Sequence, residues 1–564
     1  MNINYFILYF LIAILSLGNP IISLSENFKT EPSSQSRAVW VSPWGGDESL
    51  IKYENKSDFI NKMNYILDTI KSYKMNTIIY HVRTHNDALY PSLLNPVSPY
   101  FSKANFSEFD PLDYMIKETH KRGIEFHAWM NPYRVKSDNS IPLNEIAESY
   151  KNYLNNPASD ISNMLKGTSI ILNPGIDKVK NFIIETVIEF LNKYKVDAIH
   201  FDDYFYCDMG AGGKTSGDIT ILDEPDQETY EKYIDDNPDC GYIKTNAEKK
   251  ADWRRFQVDD FIQKLHNEIQ NFNIKNGQYV QLGISPTGIY KNGDGKVTYD
   301  ENKNAISTGS ETNGQTHYSS YLFCDTVKWI NNEWIEYILP QSYWAMDHPL
   351  AAYENVMGWW DKVVKYKKVN LYSGIGLYMS DSSLQTYGWK TDDYQFFNQL
   401  NYISKSENIK GASIYNFDTM RKYKDGKDTY SVTQTKNGLA AWQNIVPPSE
   451  IKAFGEIKIN KAENFFVTDD NKVQFSKINN AKFYVIYRNE NEIKYNSNEI
   501  VDIFGSEEDI ISWQDKEEGN FNYGVKALSY SNNLGEGSSS SNNGSYFIRK
   551  NIIMIAILCA FFLL

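Results

Sequence analysis

The stretch Val196-Asp-Ala-Ile-His-Phe-Asp-Asp-Tyr-Phe-Tyr206 carries the pattern that predicts the fold. A short apolar run with β-forming residues leads directly into two adjacent carboxylates, and aromatic side chains follow them. Carboxylates at the end of a buried strand are costly unless they are paired or used. The stretch therefore predicts a strand whose carboxyl end carries a polar site formed by Asp202 and Asp203.

The same combination of a short apolar run and a helical pattern recurs along the chain, which is typical of a parallel α/β protein. Strands are predicted at residues 38–42, 77–83, 125–131, 198–204, 281–286, 337–343, 371–378 and 412–417. Helices are predicted at residues 58–73, 112–122, 178–193, 252–271, 318–331, 352–365, 394–404 and 436–444. Eight such cycles within residues 37–447 predict a (β/α)8 TIM barrel. A doubly wound sheet is the rival fold, but residues 40–46 do not form the Gly-rich phosphate turn that it would carry.

The sequence changes in character after Pro447. Residues 449–534 contain short alternating runs separated by turn signals, which predict a small C-terminal all-β sandwich of the fibronectin type III kind. Such a domain either binds carbohydrate or spaces the barrel from a membrane, and we favour the spacer. Residues 535–551 form a small, polar linker.

Both ends of the chain are typical of targeting segments. Residues 1–24 resemble a secretory signal peptide, with an uncleaved N-terminal anchor as the alternative. Residues 552–564 are apolar but shorter than the about 20 residues that cross a bilayer. Together with the small residues before them they match a GPI-anchor signal, and a short single-pass tail is the alternative. The sequence thus predicts passage through the secretory pathway to the cell surface, where the C-terminus anchors the protein to the membrane.

The composition bears on the partners of the chain. Its 564 residues have a net charge of −14, and phosphate binding needs a basic face, so no nucleic-acid partner is predicted. Aromatic residues make up 15% of the chain, which suits a surface that stacks on sugar rings as well as a large core. Four cysteines are too few for a disulfide framework, but their spacing leaves a Cys207–Cys240 pair open.

The predicted strand ends carry amides, carboxylates, arginines and aromatic rings, and active sites of TIM barrels form at these ends. Planar polar groups hydrogen-bond to hydroxyls, and aromatic faces pack on the C–H faces of sugar rings. The spacing matches neither a zinc motif nor a serine-hydrolase elbow, so no metal and no cofactor are predicted. The strand ends therefore favour a glycan as the substrate. The residues predicted to bind it are Trp40, Arg83, Asp87, Tyr90, His127, Trp129, Asn131, Tyr133, Arg134, Tyr204, Gln341, Tyr343, Trp344, Tyr378 and Asp418.

Cleavage of a glycosidic bond needs an acid at the leaving oxygen and a second group that attacks, activates water or stabilises the cationic centre. Asp202 or Asp203 is the candidate acid, because aromatic enclosure and a like-charged neighbour both raise the pKa of a carboxyl group. Side chains alternate along a strand, so only one of the two is expected to face the barrel axis. Asp87, Asp347 and Asp418 qualify equally as the second group. A surface protein that binds carbohydrate without cleaving it is the alternative function.

Seven motifs follow one another in order along residues 37–445. They are Arg37-Ala-Val-Trp-Val, Asp87-Ala-Leu-Tyr-Pro-Ser, Gly123-Ile-Glu-Phe-His-Ala-Trp-Met-Asn-Pro-Tyr-Arg-Val, Leu172-Asn-Pro-Gly, His200-Phe-Asp-Asp-Tyr-Phe-Tyr, Ile338-Leu-Pro-Gln-Ser-Tyr-Trp and Gly374-Ile-Gly-Leu-Tyr. Together they resemble the glycosyl hydrolase-like family 10. The resemblance implies a barrel hydrolase that cleaves the N-acetylglucosamine/N-acetylmuramic acid strands of peptidoglycan. It also implies a site that contains His127, Trp129, Asn131, Tyr133, Arg134, Asp202, Asp203, Gln341, Tyr343 and Trp344.

Two stretches depart from the pattern of that family, and both concern the choice of substrate. They are Arg83-Thr-His-Asn-Asp87 and Ser285-Pro-Thr-Gly, each on a loop after a predicted strand. A second similarity concerns the mechanism. Asp197-Ala-Ile-His-Phe-Asp-Asp-Tyr204 is similar to the fourth-strand signature of chitinase-like barrels, but Tyr204 stands where their acid stands. Asp202 would then correspond to the Asp that orients the acetamido group of the substrate, and a substrate-assisted reaction is the alternative mechanism.

Overall fold

The computed structural model describes residues 32–43, 47–203, 205–208, 221–319, 322–383 and 387–540. The predicted signal peptide at residues 1–24, the apolar tail at residues 552–564, most of the linker and Tyr204 lie outside the described residues. Within the described part of the chain, no helix is both long enough and apolar enough to cross a membrane.

Eight parallel strands close into a barrel, which confirms the predicted TIM-barrel fold. The strands are β1 (Ser36–Val41), β2 (Thr77–Arg83), β3 (Glu125–Met130), β4 (Ala198–Phe201), β5 (Gln281–Ile284), β6 (Tyr337–Ile338), β7 (Asn370–Gly376) and β8 (Ile409–Tyr415). The ring closes where β1 pairs with both β2 and β8. Side chains alternate between the barrel axis, where Trp40 and Ala198 lie, and an outer core that includes Ile199 and Phe201.

Helices surround the barrel and bury their apolar faces in the outer core. They are α1 (Lys56–Ser72), α2 (Pro111–Lys121), α3 (Leu143–Tyr150), α4 (Asp177–Lys193), α5 (Gln227–Asp236), α6 (Ala247–Asn276), α7 (Thr326–Asn331), α8 (Tyr353–Val363), α9 (Gly388–Thr391), α10 (Gln395–Lys405), α11 (Phe417–Lys424) and α12 (Tyr430–Leu439). Short antiparallel strands in the loops form two small sheets: one of Arg134–Lys136, Met164–Lys166 and Ile170–Leu172, the other of Thr298–Tyr299 and Ala305–Ile306.

Three predicted elements differ from the structure. The helix predicted at residues 318–331 starts only at α7, because Phe323 adopts a left-handed conformation with φ of 53°. The helix predicted at residues 436–444 is α12, which begins earlier because the Ser431 N–H binds the Asp381 carboxylate at 2.9 Å. Strand β6 ends well before residue 343, since Pro340 has no N–H to donate to a neighbouring strand.

The C-terminal part of the chain forms two antiparallel sheets, which confirms the predicted sandwich. One sheet contains β9 (Phe466–Val467), β10 (Lys472–Ser476) and β13 (Ile510–Gln514). The other contains β11 (Ala481–Asn489), β12 (Ile500–Phe504), β14 (Asn522–Ser529) and β15 (Ser538–Ser539). Phe475, Tyr484 and Ile511 from the two sheets share one buried core. The assignment to the fibronectin type III kind stays a prediction.

The sandwich packs against the end of the barrel where the strands begin. Lys71 at the end of α1 forms an ion pair with Asp502 of β12 at 2.7 Å. The ring of Tyr530 stacks on that of Tyr279, with 5.7 Å between their centroids. The sandwich therefore lies opposite the strand ends where the predicted site is expected. Elsewhere in the chain Cys207, Cys240 and Cys324 are free thiols, so the Cys207–Cys240 pair does not form.

Candidate active site

A cavity of about 490 Å³ lies at the carboxyl end of the barrel. Residues at or just beyond the ends of the strands form most of its wall, because parallel strands all deliver their carboxyl ends to the same face. Charged, amide, hydroxyl and aromatic groups are all represented there. The wall consists of Trp40, Trp129, Arg134, Ser137, Asp202, Ser285, Gln341, Tyr343, Tyr378 and Tyr415.

Asp202 and Asp203 follow β4 directly, and Asp202 is the one that forms part of the cavity wall. The Asp202 carboxylate accepts hydrogen bonds from the Asp203 N–H at 2.7 Å and from the Gln341 amide at 3.1 Å. The two carboxyl groups also interact directly, and this interaction affects the pKa of both. Gln341 itself is fixed by a second bond, from its amide to the Ser285 carbonyl oxygen at 2.9 Å.

The two carboxyl groups differ in their electrostatic surroundings. Burial and the charge of Asp202 raise the pKa of Asp203 well above its usual range. Burial also raises the pKa of Asp202, but hydrogen bonds from Asp203 and Gln341 and the charge of Arg134 oppose this rise. Carboxyl groups in hydrogen-bond contact titrate as a pair. Asp203 is therefore the group of the pair that retains a proton more readily, and Asp202 is the group that ionises first.

Aromatic rings form one side of the cavity. Tyr343 stacks on Tyr415 with 6.0 Å between centroids and 26° between planes, and Tyr378 meets both rings edge-on. Trp40 meets Tyr415 edge-on at 5.9 Å. Gly376 makes room for this arrangement, since a Cβ there would lie 2.7 Å from the Tyr343 ring. The result is a rigid apolar face of the kind on which a sugar ring packs.

Trp129 lies on another part of the wall. The His81 ring stacks on its indole, with 3.9 Å between centroids and 5° between planes, and this fixes the plane of the indole. Among the described residues, none accepts a hydrogen bond from the Trp129 indole N–H. A buried donor without a partner is unfavourable, so an acceptor on a bound molecule would be stabilised there.

The structure brings many of the predicted site residues together. Seven that line the cavity are Trp40, Trp129, Arg134, Asp202, Gln341, Tyr343 and Tyr378. His127 lies deeper along the barrel axis, where its Nδ1 is 3.0 Å from the Tyr337 hydroxyl. Tyr204 lies outside the described residues.

Three predicted residues instead hold the loops that follow β2 and β3. The fully buried Arg83 guanidinium donates to the Pro132 carbonyl at 3.0 Å. The Asp87 carboxylate accepts the Thr84 N–H at 3.1 Å, and the Asn131 amide donates to the Thr84 carbonyl at 2.9 Å. These contacts stabilise the loops that carry the cavity wall.

Three further aromatic residues belong to the outer core. Tyr90 packs edge-on against Phe190 at 5.1 Å, and Tyr133 packs edge-on against Phe261 at 5.4 Å. Trp344 lies at the edge of the same core. Their burial supports the barrel from behind the strands.

The carboxylates considered as the second catalytic group are not part of the cavity wall. Asp418 pairs with Arg421 at 2.7 Å, and Asp347 accepts the Gly388 N–H at 3.0 Å. Asp87 is held in its loop. Of the described residues that form the wall, Asp202 is therefore the one carboxylate.

Ser137, Ser285 and Tyr415 line the cavity although they were not predicted to bind substrate. Tyr415 is the last residue of β8. Side chains alternate along a strand, so the alternation within β8 indicates which of its residues face the barrel axis, and Tyr415 is one of them. Its position in the cavity could therefore have been predicted from the sequence. Ser137 follows the short strand Arg134–Lys136, whose pairing with Ile170–Leu172 no local pattern indicates.

Comparison with known proteins adds to this geometry. The profile of the family described as "Glycosyl hydrolase-like 10" matches residues 35–389. The glycosyl hydrolase YngK of Bacillus subtilis (strain 168) is 30% identical over 498 residues, which cover 86% of this chain and 88% of that protein. The chain belongs to the glycosyl hydrolase-like 10 family. It is therefore a glycosidase built on a TIM barrel, as the motifs predicted.

Other matches cover less of the chain. The glycosyl hydrolase DigH of Escherichia coli (strain K12) is 33% identical over 320 residues, which cover 55% of this chain and 64% of that protein. Among solved structures, the glycoside hydrolase domain of PgaB (BpsB) from Bordetella bronchiseptica has a TM-score of 0.43 at 12% identity, covering 69% of this chain and 96% of that chain. That likeness is too distant to support an argument about this member of the glycosyl hydrolase-like 10 family.

Proposed function

We propose that this glycosidase cleaves bonds next to N-acetylated sugars, with peptidoglycan glycan strands as the first substrate to test. The observation that carries the proposal is the Asp202–Asp203 pair, in which Asp202 lines the cavity and the pKa of Asp203 is raised well above its usual range. The resemblance of the motifs supports the substrate. The geometry of the wall supports the chemistry.

Asp202 is the residue that touches the substrate in the proposed mechanism. The proton of the pair passes through Asp202 to the leaving oxygen as the bond from C1 to that oxygen breaks. Asp203 holds the proton until then, because its raised pKa favours the protonated form. After the transfer, the negative charge left on the pair stabilises the cationic centre at C1.

The attacking group is the 2-acetamido group of the substrate itself. Among the described wall residues no second carboxylate is available for attack or for activating water. The acetamido oxygen bonds to C1 as the leaving group departs, and water then opens this cyclic intermediate and returns its proton to the pair. Hydrolysis thus retains the configuration at C1.

The remaining wall residues fit an N-acetylated sugar. The stacked rings of Tyr343 and Tyr415 offer an apolar face for the pyranose ring or for the acetamido methyl group. The Trp129 indole N–H, which has no acceptor among the described residues, suits a carbonyl oxygen. The charge of Arg134 favours a substrate that carries a carboxylate, and N-acetylmuramic acid is such a sugar.

The experiment compares wild type, Asp202→Asn and Asp203→Asn on glycan oligomers of defined length, with products identified by mass spectrometry. Denuded peptidoglycan strands, chitin oligomers and cello-oligomers test the acetamido group, because the last lack it. We expect cleavage of the denuded peptidoglycan strands, alone or together with the chitin oligomers, and no cleavage of the cello-oligomers. Asp202→Asn should lower kcat/KM by about 10³-fold or more, and Asp203→Asn by about 10²-fold.

Asp347→Asn is the matched control, because that carboxylate also follows a strand but lies outside the wall. Substrates with an activated aryl leaving group need little protonation, so they should restore most of the activity of Asp203→Asn. Cleavage of cello-oligomers would contradict substrate assistance. Binding of glycan without new reducing ends, unaffected by either substitution, would favour the alternative of a carbohydrate-binding protein.

We further propose that the chain acts at the cell surface, anchored by its C-terminus. The terminal segments of the sequence support this location. In eukaryotic cells that express the chain, phosphatidylinositol-specific phospholipase C should release it from the surface. Surface protein that resists release would favour the single-pass tail, and cytoplasmic protein would contradict the proposal.

A further inference from the structure

A chain of buried polar side chains runs along the barrel axis from the cavity to the C-terminal sandwich, and we call it the axial chain. It consists of Trp40, His200, Tyr337, His127 and Glu125. The Trp40 Nε1 is 3.3 Å from the His200 Nε2, and the His200 Nδ1 is 2.8 Å from the Tyr337 hydroxyl. That hydroxyl is 3.0 Å from the His127 Nδ1, whose ring places Nε2 at 3.6 Å from the Glu125 carboxylate.

The hydrogen bonds of the axial chain all point in one direction. An indole N–H donates and never accepts, so the His200 Nε2 accepts from Trp40 and the proton of His200 is on Nδ1. His200 is neutral, because burial lowers its pKa well below the usual value. It therefore donates to the Tyr337 hydroxyl, which in turn donates to the His127 Nδ1. The proton of a neutral His127 is then on Nε2. This atom is 3.6 Å from the Glu125 carboxylate, which is beyond hydrogen-bond length but close enough for the negative charge to attract the proton.

The far end of the axial chain is fixed by the sandwich. Lys482 of β11 forms an ion pair with the Glu125 carboxylate at 2.5 Å, and Asn532 donates to the same oxygen at 2.9 Å. Lys482 is also 3.5 Å from Asp197, the residue before β4. Burial opposes ionisation of Glu125, but the charge of Lys482 and the interaction with His127 together outweigh burial and lower the pKa of that carboxyl.

The near end of the axial chain is part of the cavity. Trp40 lines the wall, and so does Ser285, whose hydroxyl is 2.9 Å from the same His200 Nε2. Gly283 lets Tyr337 lie across the axis between the two histidines, since a Cβ at that position would lie 1.8 Å from the tyrosine ring. The axial chain thus joins the cavity floor to a residue of another domain.

We propose that Lys482, although it belongs to the C-terminal sandwich, is a positioning residue for the catalytic cavity. Its charge favours the ionised form of Glu125, whose negative charge attracts the Nε2 proton of His127 and so stabilises the direction of the three hydrogen bonds up to Trp40. Without Lys482 this attraction weakens, and the opposite direction becomes more populated. The His200 Nε2 then carries the proton in part of the molecules and faces the Trp40 N–H, so the cavity floor loses a contact. This inference rests on the proposed function of the cavity, but its first test does not.

The first test reads the protonation of the histidine rings by ¹⁵N NMR in the full chain without substrate. The wild type should show His200 protonated on Nδ1 and His127 on Nε2. In Lys482→Met the His200 ring should shift toward protonation on Nε2, and Lys482→Arg should restore the wild-type pattern. Lys71→Met is the matched control, since it breaks another ion pair with the sandwich that has no link to the axial chain.

The second test measures kinetics on the glycan oligomer that the wild type cleaves best. Lys482→Met and Tyr337→Phe should each lower kcat/KM about tenfold or more, as expected when a wall residue is misplaced, while Lys71→Met stays within twofold. Tyr337→Phe keeps the volume of the ring but removes the hydroxyl of the axial chain. It therefore tests the axial chain if Lys482→Met does not fold. A wild-type histidine pattern in folded Lys482→Met, or full activity of folded Tyr337→Phe, overturns the inference. Failure of the wild type to cleave any glycan would overturn the proposed function, while the NMR result would still judge the axial chain.

Discussion

Glu336 allows a worked prediction about stability. It lies just before β6, its carboxylate accepts the Leu282 N–H at 2.6 Å and the Gln270 amide at 2.9 Å, and burial raises its pKa from the ordinary value of 4.5 to about 7. His266 is 3.8 Å away, but burial lowers the pKa of that ring, so it brings no positive charge. One pKa unit corresponds to about 1.4 kcal/mol, so ionisation of Glu336 costs the folded state about 3 kcal/mol.

The sign follows from the raised pKa. Between pH 4.5 and 7 the folded state binds more protons than the unfolded state, so stability is lost as pH rises through this window. Glu336→Gln removes the loss, because Gln270 can turn its amide to accept from the new side chain. Unfolding of roughly 500 residues carries an entropy of about 1 kcal/mol/K, so the variant should melt about 3 °C higher at pH 8.5. Less than about 1 kcal/mol of the gain should remain at pH 5.

Differential scanning calorimetry at both pH values measures this difference, with Glu407→Gln as the control because that side chain is exposed. An equal gain at pH 5 and pH 8.5 would show that the substitution acts through packing and not through the charge. A loss at pH 8.5 would refute the reasoning outright.

Three further predictions concern buried charged residues. Asp203→Asn should raise the melting temperature at pH 8 but not near pH 4, since the raised pKa makes the ionised form unfavourable in the folded state. Scanning fluorimetry across this pH range measures the difference, and a difference that does not depend on pH would contradict the prediction. Arg254→Met should lower the free energy of unfolding, measured by urea titration, by about 3–5 kcal/mol. The buried Asp226 carboxylate lies 2.7 Å from the Arg254 guanidinium, and the substitution leaves it with Lys250 as its only cationic partner among those two. A loss below about 1 kcal/mol would contradict this prediction. Asp87→Ala should cost about 1–3 kcal/mol of stability with KM unchanged, whereas a raised KM at full stability would favour its sequence-based assignment to substrate binding.

The sequence predicts the barrel well because its strands are buried on both faces and are therefore almost continuously apolar. Their positions are recovered within a few residues, and the ends differ where a proline such as Pro340 interrupts hydrogen bonding. The candidate site is predicted less completely. Arg83 and Asn131 follow strands as a substrate-binding residue would, but their side chains donate hydrogen bonds to main-chain carbonyl groups of neighbouring loops. Composition at a strand end cannot distinguish these two uses.

The role of Lys482 could not be predicted from the sequence for a different reason. It lies in an alternating strand of the sandwich, where a lysine is ordinarily a solvated residue, and its partner Glu125 is hundreds of positions away at the start of β3. The change in sequence character after Pro447 predicted a separate C-terminal domain, and we favoured the role of a spacer for it. The ion pair places the sandwich against the base of the barrel, and the spacer role stays a prediction.

The choice between Asp202 and Asp203 shows what strand alternation can decide. Ile199 and Phe201 are large apolar residues, and in a barrel such residues face the helices, so Asp203 shares their side of the strand. His200 is polar and faces the axis, and Asp202 shares its side. The alternation that predicted a division of roles therefore also held the answer to which residue faces the substrate. What alternation cannot give is the interaction between the two carboxyl groups, which depends on the turn of the chain after β4 and which contributes to the raised pKa of Asp203.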